Sequence, residues 1–162
     1  MPIPRILLRS PDNAMAVAKQ RLGTAKFLAE SNNKSVYHDA INLAVFAAEC
    51  ALKAVILIQT ADQETREDIE QTYFRGDQGH DLEDLRALLA KGVTLGEADN
   101  KLVVTHPVPT SAVKDEIAIL ADWHYQSRYQ ALRKSQNDAR RHVRTAELVM
   151  RWSEERLHGH VS

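Results

Sequence analysis

At 162 residues the chain has the length of one domain, enough to bury a core without disulfide or metal staples. Hydrophobic residues at 44% and charged residues at 27% exclude a disordered chain. A formal net charge of −1 excludes a global basic field for nucleic acid or an anionic membrane, so any such role needs a local patch.

Glycine and proline are sparse, six and five, and no run of Val, Ile and Thr alternates with polar residues, which favours helices over sheets. Cys50 stands alone inside an apolar run. It is expected to be a small buried hydrophobe in a reducing, cytoplasmic setting. The opening MPIPRILLRS is too short, and too soon broken by arginine, to read as a signal peptide.

Ser10-Pro11-Asp12 opens the first helix with an N-cap, a proline at the first helical position and an acid in the first turn. Ala14, Val17, Ala18, Leu22, Ala25 and Leu28 recur at steps of three and four, predicting an apolar stripe that runs to about Glu30. After the polar break Ser31-Asn32-Asn33, a second helix is expected over about Ser35 to Gln59. Between Ala40 and Ile58 it is apolar almost all round, so it should be enclosed by other helices. A bilayer span needs about 20 residues with few or no charges, and this stretch carries Asn42, Glu49 and Lys53; it reads as a core helix. Those three polar residues share one face, either a narrow solvent stripe with a Glu49–Lys53 ion pair or a polar strip lining a binding groove.

Residues 62–75 predict a short acidic helix, ended by Gly76-Asp77-Gln78-Gly79. The next helix begins at His80-Asp81 with Asp81 as N-cap, presents Leu82, Leu85, Leu88 and Leu89, and stops at Lys91-Gly92. From Gly92 to Pro109 a long loop is expected, because Pro107 and Pro109 exclude helix. Thr110 or Ser111 caps a fifth helix that faces Val113, Ile117 and Leu120 inward and runs to about Tyr129. The last helix is expected over about Ser135 to Leu157, with residues 158–162 fraying. The fold class is therefore all-α, a single antiparallel up-and-down bundle of five to six helices with its core over about residues 10–157.

Several segments in this order resemble the HEPN domain family of helical bundles. AECALKAVILIQ (48–59) is similar to the family's alanine-rich helix, GHDLEDLRALL (79–89) to its His-x-Leu helix start, and WHYQSRYQ (123–130) to its tyrosine followed by Arg-Tyr-Pro. Gln130 departs from the pattern, standing where the family often has proline. The resemblance implies an RNA- or nucleotide-binding protein. In one branch of the family that means a metal-independent ribonuclease of toxin–antitoxin or defence systems, acting as a homodimer with sites between subunits. In another it means a non-enzymatic partner of a nucleotidyltransferase. Whether this chain is an enzyme stays open at this point.

The resemblance implies that the ribonuclease branch carries an arginine followed, after four to six intervening residues, by a histidine near the final helix. Arg75 with His80 and Arg151 with His158 meet that spacing, but composition alone supplies about 1.7 such pairs, so their presence carries no weight. Where the family places the motif, the chain reads Asn137-Asp138-Ala139-Arg140-Arg141-His142, with asparagine in the arginine's place. A metal-free ribonuclease needs a group to move the 2′-hydroxyl proton and a cation to hold phosphate charge. His142 and Arg128 are the catalytic candidates, with Arg140 or Arg141 able to supply charge only through a different geometry.

If the last helix continues back to Arg133, then Arg133, Arg140, Arg144 and Arg151 fall within one arc. Between Arg128 and Arg156 eight Lys and Arg face four Asp and Glu. This stripe, with Tyr129 and Lys53, forms the expected phosphate-binding set. The alternative is a solvated face with pairs such as Glu147–Arg151. Trp123, Tyr125 and Tyr129 are expected either to stack on a base or to pack at a helix end. No residue set has zinc-site spacing, and no glycine loop or nucleophile elbow is present, so no metal or cofactor is expected.

Overall fold

The computed structural model describes residues 10–59, 63–74, 81–91, 94–95, 101–102, 109–127 and 134–159. The first helix, α1, spans Pro11–Ala29 and starts as its capping residues dictate: the Ser10 hydroxyl accepts a hydrogen bond from the Asn13 backbone N–H at 3.3 Å. Its buried face is Ala14, Met15, Ala18, Leu22, Ala25 and Ala29. The alanines let the next helix approach closely. The polar break is ordered by Asn33, whose Oδ1 accepts from the Ser35 N–H at 3.0 Å and starts a 3₁₀ turn, Lys34–Val36. Tyr37 then donates its hydroxyl to the Ser31 carbonyl at 2.8 Å, tying the connection to the start of α2, Tyr37–Ile58.

Helix α2 is the core of the molecule, contacting α1, α4, α5 and α6. Lys34–Ile58 is long and apolar enough to cross a membrane, but 78% of an 18-residue apolar window within it is buried inside the bundle, as in a core helix. Burial extends to its charges. Glu49 and Lys53 are 3% and 5% exposed and form a 2.8 Å ion pair, with the Lys53 ammonium 5.3 Å from the centre of the Phe74 ring. The expected solvent stripe is thus absent at this pair: α2 has no solvent face there, and the two charges neutralise each other inside the bundle. Cys50 is buried beside them, and burial pushes its thiol pKa up to about 12, which leaves it protonated and inert at neutral pH.

The short helix expected over 62–75 is split into α3, Gln63–Ile69, and a π-helical turn, Glu70–Phe74. Arg66 Nε donates to the Leu57 carbonyl at 3.2 Å, satisfying an end group that α2 leaves open. Helix α4, Leu82–Lys91, is capped by Asp81, whose Oδ1 accepts from the Glu83 and Asp84 N–H groups at 2.8 and 3.2 Å. Within the expected loop the structure places a two-residue antiparallel pairing, β1 (Thr94–Leu95) against β2 (Lys101–Leu102). Strands of two residues have no period to read from sequence. Helix α5, Ser111–Ser127, buries Ile117, Leu120 and Trp123, and the Thr110 hydroxyl accepts from the Val113 N–H at 3.5 Å.

The last helix, α6, spans Gln136–Gly159. Ser135 and Asp138 cap it reciprocally: the serine Oγ accepts from the Asp138 N–H at 3.1 Å, and the carboxylate accepts from the Ser135 N–H at 3.2 Å. The helix continues two residues past the expected end, so His158 is helical and not frayed. Three ion pairs join α1 to α6, Lys19–Glu154, Lys26–Glu147 and Glu30–Arg140. Partner numbers fall as α1 numbers rise, so these two helices run antiparallel. The described residues form an all-α bundle of six helices.

Candidate functional site at the start of the last helix

The first turns of α2 and α6 lie beside the last turns of α5, and the side chain that joins them is Trp123. Its ring is 3% exposed and stands edge-to-face between two imidazoles, His38 at 5.1 Å and His142 at 5.8 Å between centroids. Trp123 Nε1 donates to Asn42 Oδ1 at 3.0 Å, and Asn42 Nδ2 lies 3.1 Å from His38 Nδ1. The Lys134 ammonium sits over the indole, 4.9 Å from its centre. A cavity of about 230 Å³ opens here, lined by Ile119, Asp122, Trp123, Lys134, Asp138, Arg141 and His142.

His142 is fixed in a defined protonation pattern. Its Nδ1 is 2.7 Å from the Asp138 carbonyl oxygen, an acceptor only, so Nδ1 carries the proton and donates. In the neutral ring Nε2 is then the bare, basic nitrogen. Burial holds the imidazole pKa below the ordinary histidine value, outweighing the hydrogen bond and the Asp138 carboxylate, which act the other way. The Asp138 carboxylate is itself held below the usual range, first by its hydrogen bond from the Ser135 backbone.

This shift has a sign for stability. The unfolded chain binds a proton at a free histidine near pH 6.5, whereas the folded chain resists it at His142. The stabilisation is complete above that pH and is lost as pH falls through it toward the folded value. Urea midpoints measured from pH 8 to pH 5 should therefore decline, and His142→Phe should flatten part of that decline. An equally steep curve in the variant would contradict the assignment.

The expected residues fall into three groups. His142 lines the cavity. Arg140 does not: it points to α1, where Nε and Nη2 grip both oxygens of Glu30 at 2.9 and 2.7 Å. That contact lowers the Glu30 pKa and leaves Arg140 already paired. Arg144 borders a separate groove of about 360 Å³ between α1 and α6, with Lys26, Glu30, Arg140 and Glu147. Arg151 is exposed two turns further on. Glu147 reaches across to Lys26, not along the helix to Arg151. Lys53 is buried far from this face, in its pair with Glu49. The arc through Arg133 required a helix reaching back to it, and α6 begins at Gln136, where Ser135 caps it. Arg128, Tyr129 and Arg133 lie outside the described residues.

Lys134 and the roles of His38 and Asn42 escape sequence reasoning. His38 and Asn42 are one turn apart on α2, which is legible, but no pattern along the chain says that Trp123 lies across them. Trp123 follows its packing alternative, buried between imidazoles. Among the described residues no group of His, Cys, Asp and Glu is arranged to hold a metal ion. The chain matches no protein-family model, no curated protein and no solved structure.

Proposed function

We propose that the cavity at the start of α6 binds the phosphate backbone of RNA, and that the protein is a HEPN-like, metal-independent endoribonuclease. The observation that carries this reading is His142, a half-buried imidazole whose proton is pinned at Nδ1 by the Asp138 carbonyl. The basic nitrogen is thereby Nε2, on a residue that lines the cavity together with Arg141 and Lys134. A base and two cations are the parts that transesterification needs. His142 Nε2 takes the proton from a ribose 2′-hydroxyl, and the 2′-oxygen attacks the adjacent phosphorus. The 5′-oxygen then leaves and takes a proton from water, giving a 2′,3′-cyclic phosphate and a 5′-hydroxyl. Arg141 and Lys134 hold the charge that builds on the phosphate oxygens. Arg141 fills this role better than Arg140, which Glu30 already occupies.

Binding to a short single-stranded RNA across a salt series tests the phosphate contact. Arg141→Ala should weaken binding and reduce the slope of log affinity against log salt by about 1. Arg140→Ala should change the slope less. An unchanged slope in Arg141→Ala would remove the phosphate role from this cavity.

A second reading is a non-enzymatic helical interaction module, homodimeric or paired with a nucleotidyltransferase. Phe27 favours it, being 78% exposed on the outer face of α1. It expects a stable complex without RNA turnover, and sedimentation of the purified chain tests its homodimeric form.

A further inference from the structure

The hydrogen bonds around Trp123 can be satisfied in only one way. An indole N–H donates and never accepts, so Asn42 must turn its carbonyl oxygen to Trp123 Nε1. Its amide nitrogen is then committed to His38, and His38 Nδ1 must be the bare nitrogen that accepts. The His38 proton therefore resides on Nε2, which is buried and has no hydrogen-bond partner among the described residues.

We infer that His38, Asn42 and Trp123 form a proton-sensitive latch that holds the last turns of α5 against α2 and so sets one wall of the cavity. A second proton on His38 has to go to Nδ1, where it meets the hydrogens of Asn42 Nδ2. Asn42 cannot relieve this by rotating its amide, because its NH₂ would then face the indole N–H, donor against donor. Whichever way the amide points, one of the two hydrogen bonds is lost. The same proton also turns the unpartnered, buried Nε2–H into part of a cation, which raises the cost of keeping it buried. Neutral His38 closes the latch and protonated His38 releases Trp123.

Among the described residues, several titratable and charged groups stand on the elements that meet here. They are Asp39 on α2, Asp122 on α5, and Lys134, Asp138, Arg141 and His142 at the start of α6. At the end of α1, Glu30 is held by Arg140. Of these, His142 and Lys134 touch the Trp123 ring itself. His142 does not duplicate the latch, because its Nδ1 already donates to a carbonyl and a second proton on Nε2 breaks no bond within the protein. The inference concerns the wall of the cavity and not its occupant, so its test needs no RNA.

The chain has two tryptophans, and Trp152→Phe leaves Trp123 as the sole indole. When His142→Phe is added, removing the other imidazole against the ring, Trp123 fluorescence followed from about pH 8 to pH 5, the range in which histidines change charge, should change in a one-proton step. The step should disappear when His38→Gln is added to that protein, since glutamine can accept from Asn42 but does not titrate. Far-ultraviolet circular dichroism at pH 8 establishes that each variant is folded. The Trp123 indole N–H resonance of the same His142→Phe protein gives a second readout, and should shift with the same midpoint. A featureless titration, or a step retained with His38→Gln, would overturn the latch.

Discussion

Lys53→Met is expected to lower the unfolding free energy by about 3–5 kcal/mol, because it strips the partner from a carboxylate that the bundle encloses. Glu49 is 3% exposed, and its Oε1 lies 2.8 Å from Lys53 Nζ. Removing the lysine takes away the ion pair that offsets the burial of this carboxylate. The Phe74 ring beneath the ammonium loses a favourable cation contact as well. Replacing both members by apolar residues of similar size has a different consequence. The desolvation cost of the two charges disappears together with their attraction, so Glu49→Leu/Lys53→Met should recover most of the loss. Urea midpoints of the single and double variants decide the matter. A single variant within about 1 kcal/mol of the parent protein, or a double variant worse than the single, would contradict the burial of this pair.

The second large effect is chemical. His142→Ala should reduce RNA cleavage by about 10²- to 10⁴-fold, the range expected for loss of a general base. The variant should keep its fold, because His142 is half-buried and α6 holds its place through Val143, Ala146, Val149 and Met150. Arg141→Ala should lower cleavage too, but through weaker binding and weaker charge stabilisation, and so with a salt dependence that His142→Ala lacks. Arg144 and Arg151 lie along the exposed side of α6 and away from the lining of the cavity. Their replacement should alter RNA affinity while leaving the cleavage step at saturating RNA unchanged. Equal losses for His142→Ala and Arg151→Ala would point to a general charge effect and away from a base.

Helices α1, α4 and α5 were legible because each carries its own start signal. Ser10-Pro11-Asp12, Asp81 and Thr110 cap the helices that follow them, and the periodic alanines and leucines select the faces that are buried. The character of α2 as a core helix was legible in its lack of a polar face. The fate of its charges was not, since spacing places Glu49 and Lys53 together without saying whether water or Phe74 lies over them. The same limit applies at the candidate site. His142 was recognisable as a histidine at the edge of an apolar arc, whereas its hydrogen-bonded proton and its indole neighbour are products of packing. Arg140 stood in the arc expected to bind phosphate, yet a carboxylate on another helix, 110 residues away in the chain, takes its guanidinium. Long-range pairing of this kind leaves no periodic trace. The π-helical turn at Glu70–Phe74 and the two-residue strands are too short to generate a pattern.

The central claim is that His142 acts as a base on RNA without a metal. Purified protein should be incubated with total RNA and transfer RNA in EDTA, beside His142→Ala protein of matched helical content. Cleavage by the parent protein, with 2′,3′-cyclic phosphate and 5′-hydroxyl ends, and its loss in the variant are expected. Intact RNA after incubation with the folded parent protein, or equal cleavage by both proteins, would contradict the claim.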